Sequence, residues 1–558
     1  MSDYTAGSYS CCTTIFEERR NNKNPPFETV FIIRVFMKKV IAMSLSLVLL
    51  LSATTGCGQS SDSSSGGSTV SQAVVAQIYG DVTSFCPNIN SDDNYQFAAE
   101  NIFNRLTKLD NDLNVLPDLA TDWAYSEDGL DLTFHLQEGA IWHDGEPVTA
   151  EDVAYTFQYI KEHETCPFNS YMSSVDNVEA VDDTTVVFHL NTPDASLVAM
   201  LGWNNTFVLP KHIYDNGQDW SENDATLNHP IGSGPFKFVE YTRGSSLVLE
   251  ANDDYFGGRP QLDRLVYSII PDDTTAMQAL INGELDWTQN TPTNMLSDVE
   301  NNENIRLSLR TLPSPTRMVF NLENELVSDQ AVRTAIAMCI DREDISEKTT
   351  NGVMPVEYSA YPSDTWAANT TDLYPECDLE AAEQVLIDAG YEKDADGYYI
   401  RGLTIDVFEQ TPYPDAARLI AANCEKIGIE MTVQVYEYNA WAQKVEGFDF
   451  CVELQGGFMG PDPNTLYSRL VPGAWGNVGS YSNDRVTELL TLGNQETDQA
   501  VRKKIYDEIQ KIVVEELPYI NILEYGVYEG SNAAIKDLPI DGVGKWGYNE
   551  WSHAYFEQ

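Results

Sequence analysis

The chain has 558 residues, too many for one hydrophobic core and enough for roughly two to four domains. Hydrophobic residues at 42% and charged residues at 21% describe a globular protein and exclude a disordered one. Its 33 lysines and arginines face 86 aspartates and glutamates, and the resulting charge of −53 repels phosphate polyanions and anionic membrane surfaces, so nucleic acid is excluded as a partner. The acids are spread along the whole chain, as on a solvated surface, and are not gathered into an interaction tail.

The N-terminal text from Met37 reads MKKVIAMSLSLVLLLSATTGCGQS: two lysines, an apolar run from Val40 to Leu51, and small residues ending in Gly56-Cys57. That is a charged region, an apolar stretch too short to span a membrane, and a processing site. It resembles the lipobox of bacterial lipoproteins, which implies cleavage before Cys57 and its acylation; Thr54 departs from the aliphatic residue that the pattern prefers. Residues 1–36 precede a complete signal sequence (37–56) and read as an over-extended start. Residues 57–73 form a Ser/Gly tether with a reach on the order of 20 Å.

Downstream, Val74 to Gly80 reads as a strand, and Leu130 to Gly139 alternates apolar and polar residues between glycine turns. Thr149 to Tyr159 predicts a helix, with Thr149 as N-cap and Asp152 completing a near capping box. DTTVVFHL and SLVLEAND predict strands, and Asp329 to Cys339 and Leu379 to Ala389 predict helices, the second closed by Gly390. Strands at Leu403 to Glu409 and Glu430 to Glu437 flank a helix at Asp415 to Ile427, the punctuation of a βαβ unit. Beyond the leader and Cys57 six cysteines remain: Cys86, Cys166, Cys339, Cys377, Cys424 and Cys451. An even number outside the cell permits disulfides, but Cys339 and Cys424 lie on apolar helical stripes, where a buried free thiol is the stronger expectation.

Three long stretches then occur in order. They are IFNRLTKLDNDLNVLPDLATDWAYSEDGLDLTFHLQEGAIWHDGEPVTAEDVAYTF (Ile102 to Phe157), GSGPFKFVEY with NDDYFGGRPQLDRLVYSIIPDDTTAMQALINGELDW (Gly232 to Trp287), and FNLENELVSDQAVRTAIAMCIDREDI (Phe320 to Ile345). Together they resemble family 5 extracellular solute-binding proteins, the oligopeptide and dipeptide receptors of ABC importers. The resemblance extends from Val74 to Gln558.

The resemblance implies an α/β fold of the periplasmic-binding-protein type II kind: two α/β lobes joined by a hinge, plus an extra domain. It places residues 74–96, 211–321 and 525–558 in a discontinuous first lobe, 97–210 in the extra domain and 322–524 in the second lobe. Ligands of such proteins sit between domains, where hinge closure excludes water. Most motif residues read as structural: Asp144-Gly145 and Glu127-Asp128-Gly129 as turns, Trp123 and Phe134 as core, Gly232 to Pro235 as a tight turn.

Ligand-facing positions follow from the same resemblance. Phe168, with Tyr171 close behind, matches an aromatic reaching into the cleft from the extra domain. Gln289 and Asn290 match a polar pair on the first lobe that meets a peptide backbone, for which an amide offers both donor and acceptor. Phe458 takes the place of a second-lobe aromatic, beside Gly456, Gly457 and Gly460. Peptide receptors of the family place an Asp three residues after that aromatic to neutralise the ligand's ammonium. Here Asp462 comes four residues after, so it either faces the ligand or caps its own loop.

The enzyme classes lack their motifs: GxSxG is absent, and His163-Glu164 has no second histidine at zinc spacing. DADG at Asp394 to Gly397 lacks the first carboxylate of a calcium loop. The sequence thus reads as a monomeric, lipid-anchored extracytoplasmic receptor without cofactor or metal. It would deliver a small solute, foremost a peptide, to an ABC permease and its ATPases. An oligosaccharide, opine or nickel chelate as ligand, and an orphan sensor or adhesion lipoprotein on the same fold, remain open.

Overall fold

The computed structural model describes residues 72–89, 92–542 and 549–557; the leader, the signal sequence, Cys57 and nearly all of the tether lie outside the described residues. No described helix is long and apolar enough to cross a membrane.

The predicted strands and helices form close to where the pattern places them. The alternating segment becomes Asp131–Leu136, whose inward residues Leu132 and Phe134 are fully buried. Helix Ala150–Glu162 starts where expected, and the Asp152 carboxylate accepts from the Thr149 N–H at 2.8 Å. Its other oxygen accepts from the Lys211 N–H at 2.8 Å, so the cap also fastens the chain sixty residues on. Aspartate carboxylates similarly accept from first-turn amides at Asp272, Asp329, Asp341, Asp378 and Asp498. Part of the acidic composition therefore satisfies orphan helix donors. Ile400–Phe408 and Ile429–Tyr436 pair in parallel around helix Tyr413–Lys426, as the βαβ pattern requires.

A ten-stranded sheet organises the chain. From one edge it runs Ile429–Tyr436, Ile400–Phe408, Val452–Gln455, Ile305–Phe320, Tyr519–Asn532, Trp287–Thr288, Ala73–Ile78, Arg264–Ile269, Ser246–Ala251 and Phe236–Thr242. Two large hydrophobic cores and a smaller cluster pack on it. The first is built from Val74 through Trp287 together with Ile535 to Ala554, the second from Met318 to Leu523. The tail reaches the first core through Asn101, whose side-chain amide donates to Asn549 O and whose Oδ1 accepts from the Trp551 N–H. A four-stranded antiparallel sheet in the order Ala120–Tyr125, Asp131–Leu136, Thr185–Leu190, Val175–Ala180 attaches to this first core.

Two long antiparallel strands, Ile305–Phe320 and Tyr519–Asn532, join the halves. Their register holds from Ile305/Asn532 to Leu312/Tyr525, breaks, and resumes at Thr316/Leu523, so Pro313, Ser314 and Pro315 face the single residue Glu524. Prolines cannot donate to a ladder, which explains why the bulge falls there. Met318 to Phe320 already belong to the second core and pair with Val452–Gln455, so the cores part at the bulge and not at residue 321, where the sequence expectation put the boundary.

Two motif readings need correction. The chain only bends at Gly232 to Pro235, where a tight turn was expected, and the glycines serve packing: a Cβ on Gly232 would lie 1.8 Å from Ile102 O, and one on Gly234 2.6 Å from Asn101 O, so they permit close backbone approach. Trp123 is only half-buried at the edge of the first core. The arginines of the third motif are structural: Arg333 donates to carbonyls of Val327, Ser328, Glu516 and Leu517, and the fully buried Arg342 to Glu357, Pro375 and Asn521. The DADG carboxylates Asp394 and Asp396 are paired with Arg401. The six described cysteines are free thiols; Cys86, Cys166, Cys339 and Cys424 are buried, Cys377 and Cys451 partly so.

Candidate functional site

The strand Val452–Gln455 ends at the sheet's C-terminal rim and releases the chain into the loop GGFMGPDP. Glycines make that loop's course possible. A Cβ on Gly456 would meet the Tyr413 hydroxyl at 2.2 Å, and Gly460 has φ +76° with Thr465 Cγ2 2.2 Å from where its Cβ would be. The Met459 N–H donates to Pro313 O at 2.6 Å, which ties the loop directly to the strand bulge.

Across from this loop stands Trp203 of the first half, its ring stacked on Phe458 with centroids 4.8 Å apart and planes 14° from parallel. Beside them opens a cavity of about 550 Å³, walled by Tyr171, Met200 and Trp203 on one side and by residues of the 455–469 segment, among them Gly457, Phe458 and Arg469, with Trp475 on the other. The halves also meet beside it, where the Ala195 N–H donates to Asn494 O at 2.7 Å and the Trp366 N–H to Asp112 O at 3.1 Å. The size and the mixed aromatic and polar walls suit a small-molecule or short-peptide ligand.

Of the residues singled out from sequence, Tyr171, Gly457, Phe458 and Asp462 line this cavity. Phe168, Gln289 and Asn290 do not. Phe168 is 2% exposed and packs in the first core, its ring 5.3 Å from that of Tyr171. The Gln289 N–H donates to Gln77 Oε1, and its side-chain amide to Gln77 O, both within the first half. The Asn290 amide donates to Asp273 at 2.8 Å.

Asp462 touches the cavity but is not an open carboxylate. It is 2% exposed, accepts from the Asn464 N–H at 2.9 Å as cap of the turn Pro463–Leu466, and forms a two-pronged pair with Arg502 at 2.6 and 2.8 Å. Burial opposes the charge on Arg502, but the Asp462 carboxylate outweighs it and holds its pKa above the ordinary value. An ammonium would have to displace this guanidinium, so the structure favours the capping alternative.

Among the cavity residues that escaped the sequence reading are Trp203, Arg317, Arg469 and Trp475. Arg317 was detectable, because TRMVFN places a cation inside an apolar strand run.

Residues 114–477 match the model of bacterial extracellular solute-binding proteins, family 5 middle. The chain belongs to this family. The oligopeptide-binding protein AppA of Bacillus subtilis is 29% identical over 507 residues, covering 86% of this chain and 92% of the relative. A putative ABC transporter peptide-binding protein of Brucella ovis is 30% identical over 422 residues, covering 73% of this chain and 78% of the relative. Among solved structures, Bacillus subtilis AppA in complex with a nonapeptide gives a TM-score of 0.64 at 26% identity, covering 88% of this chain and 100% of that one. HbpA2 from Haemophilus parasuis gives 0.79 at 23% identity, over 87% and 100%, a likeness of fold.

This family 5 receptor accordingly has the type II periplasmic-binding fold expected from the sequence, with two α/β lobes and an extra domain. It is a solute-binding receptor of ABC importers and not an enzyme. Family members work outside the cytoplasm, in the periplasm or the extracellular space.

Proposed function

We propose that the chain is a peptide receptor, anchored to the membrane through an acylated Cys57, that closes its two lobes on the ligand and hands it to the permease. The observation carrying this reading is the cavity between Trp203 and the loop of Phe458: its two walls belong to different halves, joined by a bulged strand pair and touching again beside the cavity. Rotation at 313–315 and 524 would open one wall from the other, which is the hinge geometry of ligand capture. Tyr171, Gly457 and Phe458 are the proposed ligand contacts, and the backbone groups of the glycine loop supply donors and acceptors that a peptide can pair with. The relatives named as peptide-binding proteins support the ligand class.

Mass spectrometry of the ligand released from purified protein tests the proposal. Peptides are expected; a sugar, opine or metal chelate would replace the ligand class while leaving the receptor. For the anchor, Cys57→Ala should release the protein from the membrane fraction in detergent-free washes, and retention would refute the acylation.

A further inference from the structure

Buried arginines elsewhere in this protein are saturated with acceptors. Arg105 is held by Glu100 through two 2.6 Å bonds, Arg502 by Asp462, and Arg342 by backbone carbonyls. Arg317 and Arg469 break this rule. Arg317 is 5% exposed, and its sole hydrogen-bond acceptor among the described residues is the weak Met459 sulfur at 3.7 Å. Arg469 gives Nη2 to Phe458 O at 2.5 Å. The Nε atoms of both are buried without a partner, and neither guanidinium has a carboxylate within ion-pair distance among the described residues. Unpaired buried donors of this kind are rare in a folded chain and call for an explanation.

The two side chains converge. A Cβ placed on Gly457 would lie 3.2 Å from Arg317 Nη2 and 3.5 Å from Arg469 Nη2, and both residues line the cavity. Burial, then Arg317, pulls the Arg469 pKa well below its usual value, and burial lowers that of Arg317. Glu453 acts on both through space but pairs directly with neither among the described residues. It is fully buried, one oxygen accepts from the Gln455 amide at 2.6 Å, and burial pushes its pKa up to about 8 against the pull of Arg317. In a protein of charge −53, two adjacent guanidiniums facing a cavity are a local exception that the global field does not supply. Meanwhile the acid among the lining residues, Asp462, is committed to Arg502.

We infer that the cavity holds its ligand by a carboxylate seated between Arg317 and Arg469, with the body of the ligand against Trp203 and Phe458 and no carboxylate reserved for an ammonium. This deepens the solute-binding reading of the same cavity. A guanidinium pair offers the forked donors that a carboxylate matches, and a charge-assisted bond formed out of water is strong. The carboxylate is either a peptide's C-terminus or an acidic side chain. Trp475, 85% exposed at the rim, is placed to cover a ligand so seated.

The test uses purified protein freed of bound ligand by partial unfolding and dialysis. Calorimetry compares Ala-Ala-Phe as free acid, Ala-Ala-Phe-amide and Ala-Glu-Phe-amide; thermal denaturation compares inorganic phosphate with chloride at equal ionic strength. The free acid is expected to bind at least about tenfold more tightly than its amide, a gap of 1.4 kcal/mol. Recovery by the Glu-containing amide would assign the carboxylate to a side chain, and its failure would assign it to the C-terminus. Arg469→Gln should abolish the gap while Arg469→Lys keeps part of it; Arg469 is partly exposed, so these variants carry the test even where Arg317→Gln fails to fold. If acid and both amides bind alike, the inference is overturned and the peptide reading stands. If no peptide binds but phosphate raises the melting temperature in wild type and not in Arg469→Gln, the peptide reading falls and the anion seat stands. No binding of peptide or phosphate overturns the seat.

Discussion

Asp462→Asn separates a folding role from a ligand role at one residue. The native carboxylate makes two short bonds to Arg502 and caps the turn at 463–466, with the pair's side chains 2% and 7% exposed. Asparagine keeps one acceptor for the Asn464 amide, but its NH₂ faces the guanidinium and the charge is lost. Arg502 would retain Gly493 O as an acceptor of its Nε, and the rings of Trp366 and Tyr506 at 5.4 and 5.5 Å, none of which neutralises a buried cation. The expected destabilisation is therefore about 3–5 kcal/mol, the range for removing one partner of a buried pair. Urea denaturation at pH 7 measures it as a lower midpoint. Asp462→Asn/Arg502→Met should recover part of the loss, because the uncompensated charge leaves with the second substitution. Binding of a free peptide and its N-acetylated form should fall together. A loss under about 1 kcal/mol with selective weakening of the free peptide would show that Asp462 faces the ligand, and the reasoning from the Arg502 pair would fail.

Three further outcomes follow from the geometry. Burial raises the Glu453 pKa from 4.5 to about 8, so its contribution to stability is full below pH 4.5 and is lost as pH rises through about 8, with a slope of at most about 1.4 kcal/mol per pH unit. Glu453→Gln should flatten that part of the stability profile, and an unchanged slope would contradict the assignment. Gly232→Ala puts a methyl 1.8 Å from a backbone carbonyl and should cost at least the roughly 1–3 kcal/mol of an overpacked site, read as a lower melting temperature; a neutral result would refute the close approach. Saturating ligand should compact the molecule about the bulge at 313–315, seen in small-angle scattering as a smaller radius of gyration, and an unchanged radius at verified saturation would remove the hinge.

Most of the fold was legible because its local signals agree with one another. Asp131–Leu136 alternates, Ala150–Glu162 carries its cap, and the parallel pair flanking Tyr413–Lys426 has βαβ punctuation, so period, cap and turn chemistry all point the same way. The strand bulge was less legible. Pro313 and Pro315 in a strand-like run signal a broken ladder, but that the break faces one residue of a strand two hundred positions on is a fact of long-range register that no local pattern encodes. The glycines at 232 and 234 misled for a related reason, since a tight turn and a close approach to another segment leave the same mark on the sequence.

The site was legible where it rests on chain geometry and obscure where it rests on partners. The glycine loop and Phe458 announce themselves, whereas Asp462 looks the same in sequence whether it meets an ammonium or Arg502, forty residues away. Its displacement by one position from the family's spacing was the informative sign, because one residue along a loop re-aims a side chain. The same logic connects the missing ammonium partner to the arginine pair. A cavity that has withdrawn its acid into a salt bridge and left two guanidinium Nε atoms without acceptors has inverted the charge it presents, while the molecule around it stays strongly acidic. Leaving buried guanidinium donors unpaired costs free energy, which a carboxylate seated between them would recover. Closure of the hinge would desolvate the same charges further, so an anionic ligand favours the closed state by more than its contacts with either lobe alone.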